Sequence, residues 1–466
     1  ELKVPIADLV TEPGMVVHPK SDRRIEYGKL AALASGFTVP DTVSLKDPKN
    51  FRYIGRDRST PRVDIPAKSN GTAQYTQDVQ LPGMLTAVVA HSPLFGGTVK
   101  SYDAAKAKAV PGVVEVVQIP TGVAVLAQSF WAARVGRQAL TIDWDQSKAE
   151  TRGTSEIMAE FRKLGREIGV EVRKDGDAEA AVAGAATTVE ATYQFPYLAH
   201  AAMEPLNCVV QYRPDGVEVW NGEQFQTPDQ GAIAAVAGVK PEQVKINMLY
   251  AGGSFGRRAN PKADYVVEAV AIAKAIEGRA PVKMVWTRED DTNSGYFRPA
   301  FLHHIKGGLD ASGQPVAWWH RIVGQSLLMG TAMAPPDGKD PSSFEGAADH
   351  AYAVPNVYLD FHTPTVGIPV QWWRSVGHTH TAFAVEMFVD ELAAAAGKDP
   401  VEFRRGLLAK EPRRLGVLNL VAEKAGWGTP LPAGRARGVA VHKSFDTYVA
   451  EVAEVSLEAG KPKVHR

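Results

Sequence analysis

The chain has 466 residues, 45% of them hydrophobic and 22% charged, with basic and acidic side chains balanced at 52 each. At roughly 150 residues per domain this is room for about three domains, and the composition belongs to a globular protein rather than a disordered one. Zero net charge removes the electrostatic reason to expect nucleic acid or an anionic membrane as a partner.

In chain order, Ile25 to Ala34 reads as a short strand leading into a short helix, and the proline-containing polar stretch Val39 to Asn50 as a linker. No Met and no signal-peptide pattern opens the chain, so Glu1 is expected to start a processed or excised polypeptide. Strand signals follow at Met84–Ala90, Val113–Ile119, Gly122–Ala127 and Thr141–Trp144, with helices expected at Tyr102–Val110 and Phe130–Leu140. Strand, helix, strand, strand, helix, strand is a small α+β domain. Residues 149–188, rich in Ala, Gly and charge, read as a connector with one helix near Ser155–Leu164.

From about residue 189 a second α+β region begins. His200-Ala201-Ala202-Met203-Glu204-Pro205 reads either as an acid/base pair or as a capped turn before the strand at Cys208. Cys208 is the only cysteine, so the chain cannot form an internal disulfide or supply the four thiolates of a typical iron–sulfur cluster. Gln224, after a strand end, either donates to a ligand or faces water. Ala251-Gly252-Gly253-Ser254-Phe255-Gly256-Arg257-Arg258 lies between a strand and a helix. It reads equally as a backbone cradle for a ligand oxygen, helped by the following helix N-terminus and two arginines, or as a tight turn. Ala263 to Ile276 is the longest candidate membrane span, and Asp264, Glu268 and Lys274 interrupt it well short of the required length of about 18 residues. Arg288-Glu289-Asp290-Asp291 reads as a cation site or, more commonly, a solvated loop.

Further on, Gln371-Trp372-Trp373-Arg374 followed by His378 and His380 suggests a pocket wall. The two histidines would share one side of a strand, as a metal pair or as ordinary hydrogen-bonded side chains. Val449 to Leu457 alternates as a half-buried strand, and Val464-His465-Arg466 starts its return. A hairpin stopped there is expected to leave its domain unfinished and a strand edge exposed.

Together these motifs carry a resemblance. Residues 54–148 hold Arg62-Val63-Asp64, Gly71-Thr72-Ala73-Gln74-Tyr75, Leu81-Pro82-Gly83-Met84-Leu85, His91-Ser92-Pro93 and Pro111-Gly112-Val113-Val114. Residues 189–466 hold the His200–Pro205 turn, Glu223-Gln224, the Gly252–Arg258 loop, Arg374-Ser375-Val376-Gly377 and Glu386-Met387-Phe388-Val389-Asp390-Glu391. In this order they resemble the large, molybdopterin-binding subunit of the molybdenum hydroxylases, the xanthine dehydrogenase and aldehyde oxidase superfamily. The branch is that of isoquinoline 1-oxidoreductase β subunits and membrane-associated bacterial aldehyde dehydrogenases.

The resemblance implies an α+β fold, with an aldehyde oxidase/xanthine dehydrogenase a/b hammerhead-type domain at 54–148. It further implies a remnant molybdopterin-binding segment and linker at 1–53, a connector at 149–188, and an incomplete molybdopterin-binding domain at 189–466. It implies an oxidoreductase that hydroxylates an aldehyde or N-heteroaromatic carbon with water-derived oxygen. The implied cofactor is molybdenum–molybdopterin in its cytosine dinucleotide form. Electrons would leave through iron–sulfur clusters on a 2Fe-2S small subunit, with a c-type cytochrome subunit as a further partner. The location would be periplasmic, or membrane-associated through partners rather than by a span of this chain.

By the same resemblance, Gln224 would bond the apical metal oxo group. Gly252, Gly253, Ser254, Phe255 and Gly256 would lie over the cofactor, Arg374 would line its pocket, and Phe255, Arg298 and Trp373 would meet the substrate. No side chain here is expected to ligate the metal. The family's Gly-Gln-Gly loop and the catalytic Glu of its Gly-Glu-Pro-like stretch have no match in this chain and are expected outside it. Ser254, Arg257 and Arg258 depart from the usual Gly-Gly-Gly-Phe-Gly-Gly-Lys loop, and Ala259 stands where some members place a Glu. The alternatives are a noncatalytic fragment or scaffold with this fold and no cofactor, and a zinc hydrolase built on His378 and His380.

Overall fold

The computed structural model describes residues 2–55 and 61–466. Glu1 and residues 56–60 of the expected small domain lie outside the described residues. The chain divides into two units, Glu1–Ala73 and Gln74–Arg466. The first contains an antiparallel sheet of Val10–Glu12, Met15–His18 and Arg23–Glu26, followed by helix Tyr27–Ala34. The expected strand-to-helix transition near Ile25 is therefore present.

The second unit is built on two large sheets. One has seven strands in the order Val244–Met248, Gly216–Asn221, Asn207–Arg213, Val282–Val285, Leu85–His91, Gly122–Ala127, Val113–Ile119. Its seam is the parallel pairing of Val282–Met284 with Leu85–Ala87. Strands from the expected 54–148 domain and from the 189–466 region thus share one sheet. Helices Gln226–Ala237 and Asp264–Ala275 cover it, and Ile233, Val266, Ala269, Val270 and Ile272 join its core. Apolar burial of this kind contributes roughly 25 cal/mol per Å².

The other sheet has five strands: Thr187–Phe195, Phe301–Leu309, Pro315–Gly324, Asn356–His362 and Val170–Asp175. Alternation along Phe301–Leu309 sends Phe301, Ile305 and Leu309 under helix His378–Ala395, where they meet Phe388 and Leu392. Leu302 faces the other way, towards Ile157 and Phe161 of helix Thr154–Leu164.

Several elements differ from the expectation. Residues 149–188, read as a connector, contain an edge strand of the five-stranded sheet and two helices, because Val170–Asp175 pairs with Asn356–His362. Tyr102 lies in strand Thr98–Asp103, and the helix after it is only Ala105–Lys108. The strand expected at Val449–Leu457 runs from Thr447 to Glu458 and is paired on both sides, by Arg435–Ser444 and by Lys461–Val464. Among the described residues no helix is long and apolar enough to cross a membrane.

Candidate functional site

The glycine-rich loop follows strand Val244–Met248 and is held from below by Glu204. Its carboxylate accepts the Gly252 N–H at 2.6 Å and the Asn207 amide at 2.9 Å, and lies 3.4 Å from the buried guanidinium of Arg258. Gly253 and Gly256 have φ of +99° and +98°, where a side chain is strained, and a Cβ on Gly256 would sit 2.6 Å from the Trp372 carbonyl oxygen. Phe255 itself adopts φ 53°. Among the described residues, the N–H groups of Ser254, Phe255 and Gly256 find no protein acceptor. Such a row of unpaired donors is how backbone binds anionic or oxo oxygens.

The second wall is the segment 371–376, packed directly on that loop. The Arg374 N–H donates to the Phe255 carbonyl at 2.8 Å, and the Gln371 amide donates to the Arg257 carbonyl at 2.8 Å. His200 Nε2 donates to the Trp372 carbonyl at 2.6 Å. Burial pushes this histidine down to about 4, so it is a neutral donor at physiological pH. Ser375 and Val376 continue in left-handed conformations, φ 73° and 50°. A third wall comes from Phe445, in the tight turn between strands Arg435–Ser444 and Thr447–Glu458.

Between these walls lies a cavity of about 790 Å³. Its lining brings together the expected Gln224, Ser254, Phe255, Gly256, Trp373 and Arg374. Trp372, read from the sequence as part of a pocket wall, lines it too, and Ala259, Ser375 and Val376 from the quoted motifs, with Phe225 and Phe445, which the sequence did not mark, complete it. The lining is rich in aromatic rings, contains no carboxylate, and has Arg374 as its sole cation. The Ser254 hydroxyl donates to Gln224 Oε1, which leaves the Gln224 N–H₂ as the free end of the amide. Arg374 is exposed and forms no ion pair among the described residues.

Other expected residues are placed differently. Gly252 and Gly253 shape the loop from behind and do not line the cavity. Arg298 is buried behind Trp373, 5.7 Å from its ring centre, donating to the Pro196 carbonyl at 2.8 Å. It supports the wall and is not on the cavity surface. Arg257 and Arg258 turn inward: Arg257 is paired with Asp264 at 2.6 Å, and Arg258 with Glu204 and Asn221. Asp264 occupies the first turn of helix Asp264–Ala275, so neither that helix end nor those arginines offer charge to a ligand.

His200 and Glu204 serve separate backbone groups and do not act on each other. His378 and His380 begin a helix and diverge: His378 bonds His442 at 2.8 Å and His380 bonds His303 at 2.8 Å. Among the described residues no cluster of His, Cys, Asp or Glu has metal-binding geometry, so the zinc alternative has no site there. Asp290 of the acidic run is engaged by Arg137 at 2.6 Å. Behind Gln224 lies a carboxylic acid that the sequence did not mark. Asp229 is buried, and burial with Glu223 nearby pushes it up to about 9.

Residues 162–407, more than half the chain, match the family model described as the molybdopterin cofactor-binding domain. The chain belongs to that family. It is 32% identical over 97% of its length to the isoquinoline 1-oxidoreductase subunit beta of Brevundimonas diminuta, and covers 63% of that protein. It is 31% identical over 94% of its length to the membrane-bound aldehyde dehydrogenase [pyrroloquinoline-quinone] of Gluconacetobacter polyoxogenes, and covers 61% of it. The crystal structure of quinoline 2-oxidoreductase from Pseudomonas putida 86 superposes with a TM-score of 0.67 at 18% identity, over 82% of this chain and 56% of that one. The last similarity shows the α+β fold alone. The chain spans about three-fifths of the two curated relatives' lengths.

Proposed function

We propose that this chain supplies the molybdenum-cofactor-binding catalytic part of an oxidoreductase that hydroxylates an aldehyde or N-heteroaromatic carbon. The observation that carries this reading is the convergence, at one cavity, of the free Gln224 amide N–H₂ with the unpaired N–H groups of Ser254, Phe255 and Gly256. Donors without acceptors fit a group that presents oxo and phosphate-like oxygens, and a molybdenum–pterin cofactor is such a group. When bound, it would supply transfer of a water-derived oxygen to the substrate carbon and take up the electron pair released.

This chain's own residues would hold and orient. Gln224 would donate to an oxygen of the bound group, with Ser254 fixing the amide by occupying its carbonyl. The 254–256 backbone would cradle it. Phe225, Phe255, Trp372, Trp373 and Phe445 would exclude water and stack on a flat ring, which favours N-heteroaromatic or aromatic aldehyde substrates. Arg374 would face a carbonyl or carboxylate of the substrate. With no carboxylate in the lining, a general base would have to come from residues not in this cavity wall.

The cytosine dinucleotide form of the cofactor, a 2Fe-2S partner, a c-type cytochrome acceptor and a periplasmic or membrane-associated location belong to the same reading. The single cysteine supports the partner, since the chain cannot ligate a cluster itself. The deciding experiment is metal and pterin analysis of the purified full-length protein with its co-purifying subunits. Molybdenum with released pterin and partner iron is the expected result. Absence of metal would favour the scaffold alternative, and zinc would overturn the reading.

A further inference from the structure

Behind the cavity, three titratable groups lie in a row that the proposed chemistry does not use. The Glu345 carboxylate accepts the N–H of Gly377 at 2.8 Å, at the N-terminus of helix His378–Ala395. Its other oxygen lies 3.6 Å from His378 Nε2, and His378 Nδ1 is 2.8 Å from His442 Nε2. Both ends of this row reach the cavity. Gly377 closes the turn whose preceding residues Arg374, Ser375 and Val376 line it, and His442 stands three residues before Phe445, which lines it from the other side. His378 also touches the Phe445 ring, with centres 6.1 Å apart.

The turn needs such a tether. Ser375 and Val376 both hold left-handed conformations, φ 73° and 50°, that disfavour an ordinary side chain and a β-branched one most of all. The surroundings are specific as well. A Cβ on Gly377 would sit 2.8 Å from Glu345 Cγ and 2.5 Å from the Ser342 carbonyl oxygen, so only glycine allows this approach. The Thr381 hydroxyl donates to the Glu345 carbonyl at 2.7 Å and fixes the backbone that carries the carboxylate.

We propose that Glu345 is a positioning residue for the cavity, holding the Arg374–Gly377 turn directly and the Phe445 wall through His378 and His442. This rests on the reading of the cavity as the ligand site. The groups facing the row are known. Burial, with Asp349 and Asp340 nearby, raises Glu345 to about 7 against the pull of the Gly377 N–H. Burial lowers His378, and it lowers His442 to about 4, with His378 and Arg414 adding to the latter. Above pH 7 the tether is therefore a carboxylate facing neutral histidines. Below pH 7 it is a neutral acid, a poorer acceptor for the Gly377 N–H, and it no longer places a negative charge 3.6 Å from His378.

The test is a pH titration from 6 to 8.5 of the full-length protein with its partner subunits, read by tryptophan emission and by the dissociation constant of isoquinoline. Wild type should change emission with a midpoint near 7, and that change should vanish in the Trp372→Phe/Trp373→Phe variant. Isoquinoline affinity should fall by up to about tenfold on the acid side, the difference between a charge-assisted and a neutral hydrogen bond. Glu345→Gln, which keeps an acceptor oxygen without titrating, should show neither transition. A flat wild-type emission titration, which needs no variant to fold, would overturn the proposal, as would wild-type pH dependence in Glu345→Gln. Failure of isoquinoline to bind at any pH, with the emission transition intact, would instead count against the substrate reading and leave the tether supported.

Discussion

Glu204 offers the most direct test of how the site is held, because one carboxylate serves the loop and a buried cation at once. Glu204→Gln keeps the side chain's size and an acceptor for the Gly252 N–H, but removes the negative charge 3.4 Å from Arg258, whose side chain is 0% exposed. A buried charge stripped of its counter-ion costs about 3–5 kcal/mol. The pair here is loosely spaced, and Arg258 keeps its bonds to Asn221 Oδ1 and the Gly222 carbonyl, so the lower end of that range, about 3 kcal/mol, is expected. Urea denaturation should show an earlier midpoint with an unchanged slope. In a double-mutant cycle, Glu204→Gln with Arg258→Met should be less destabilised than the two single effects added together, because the stranded charge is gone. Isoquinoline binding should weaken in Glu204→Gln, since the amide holds Gly252 less firmly than the carboxylate does. An unshifted midpoint, or strict additivity with Arg258→Met, would refute the account of Glu204 as the counter-ion that braces the loop.

Gln224→Ala should leave the denaturation midpoint within about 0.5 kcal/mol of wild type, as the residue is exposed, while lowering turnover of the loaded enzyme about 100-fold or more; full turnover with full molybdenum content would contradict its role. Gly256→Ala should destabilise by about 2–4 kcal/mol and impair ligand binding, because its Cβ would meet the Trp372 carbonyl oxygen at 2.6 Å in a backbone conformation at φ +98°; a neutral effect in urea would show that the two walls are not in contact. Asp229 is raised to about 9 from an unfolded value near 4, so the folded state keeps a proton that the unfolded state releases, and stability is lost as pH rises between those values. Asp229→Asn, neutral throughout, should gain about 1–3 kcal/mol over wild type at pH 8 and nothing near pH 4; parallel pH profiles of the two proteins would show Asp229 to be ionised in the fold.

How much of the site the sequence disclosed depends on what kind of interaction holds each piece. The loop at 251–256 was legible because consecutive glycines mark backbone that must approach something closely, and Gly256 does approach Trp372. Trp373 and Arg374 were legible as neighbours in sequence that are also neighbours in the wall. Direction was not. Arg257 and Arg258 sit beside that loop yet point into the core, because Asp264 and Glu204 receive them there, and the charge partners lie at sequence separations that no local pattern reveals. His378 and His380 read as strand neighbours but start a helix, which rotates them apart onto different partners. The alternation rule applied to them assumed the wrong period.

Phe445 and Glu345 show the same limit from the other side. Phe445 enters the cavity from a two-residue turn with φ of 46° and 57° that contains no glycine, so nothing in Ser444-Phe445-Asp446-Thr447 announces a tight hairpin. Glu345 lies in a segment with only a short helical turn, at Pro341–Ser343, and its importance arises because helix His378–Ala395 presents an N-terminal N–H to it. In both cases the function-bearing contact is between backbone conformations that ordinary side chains disfavour. The strain of Phe255, Ser375, Val376 and Phe445 is concentrated on the cavity lining, where packing against Glu204, His200 and Glu345 must offset it. Strain of this kind persists only where the surroundings over-determine the geometry. The residues that determine it are therefore the polar ones behind the walls, His200 buried and Glu204 and Glu345 partly so, and the apolar walls themselves are what a ligand would meet.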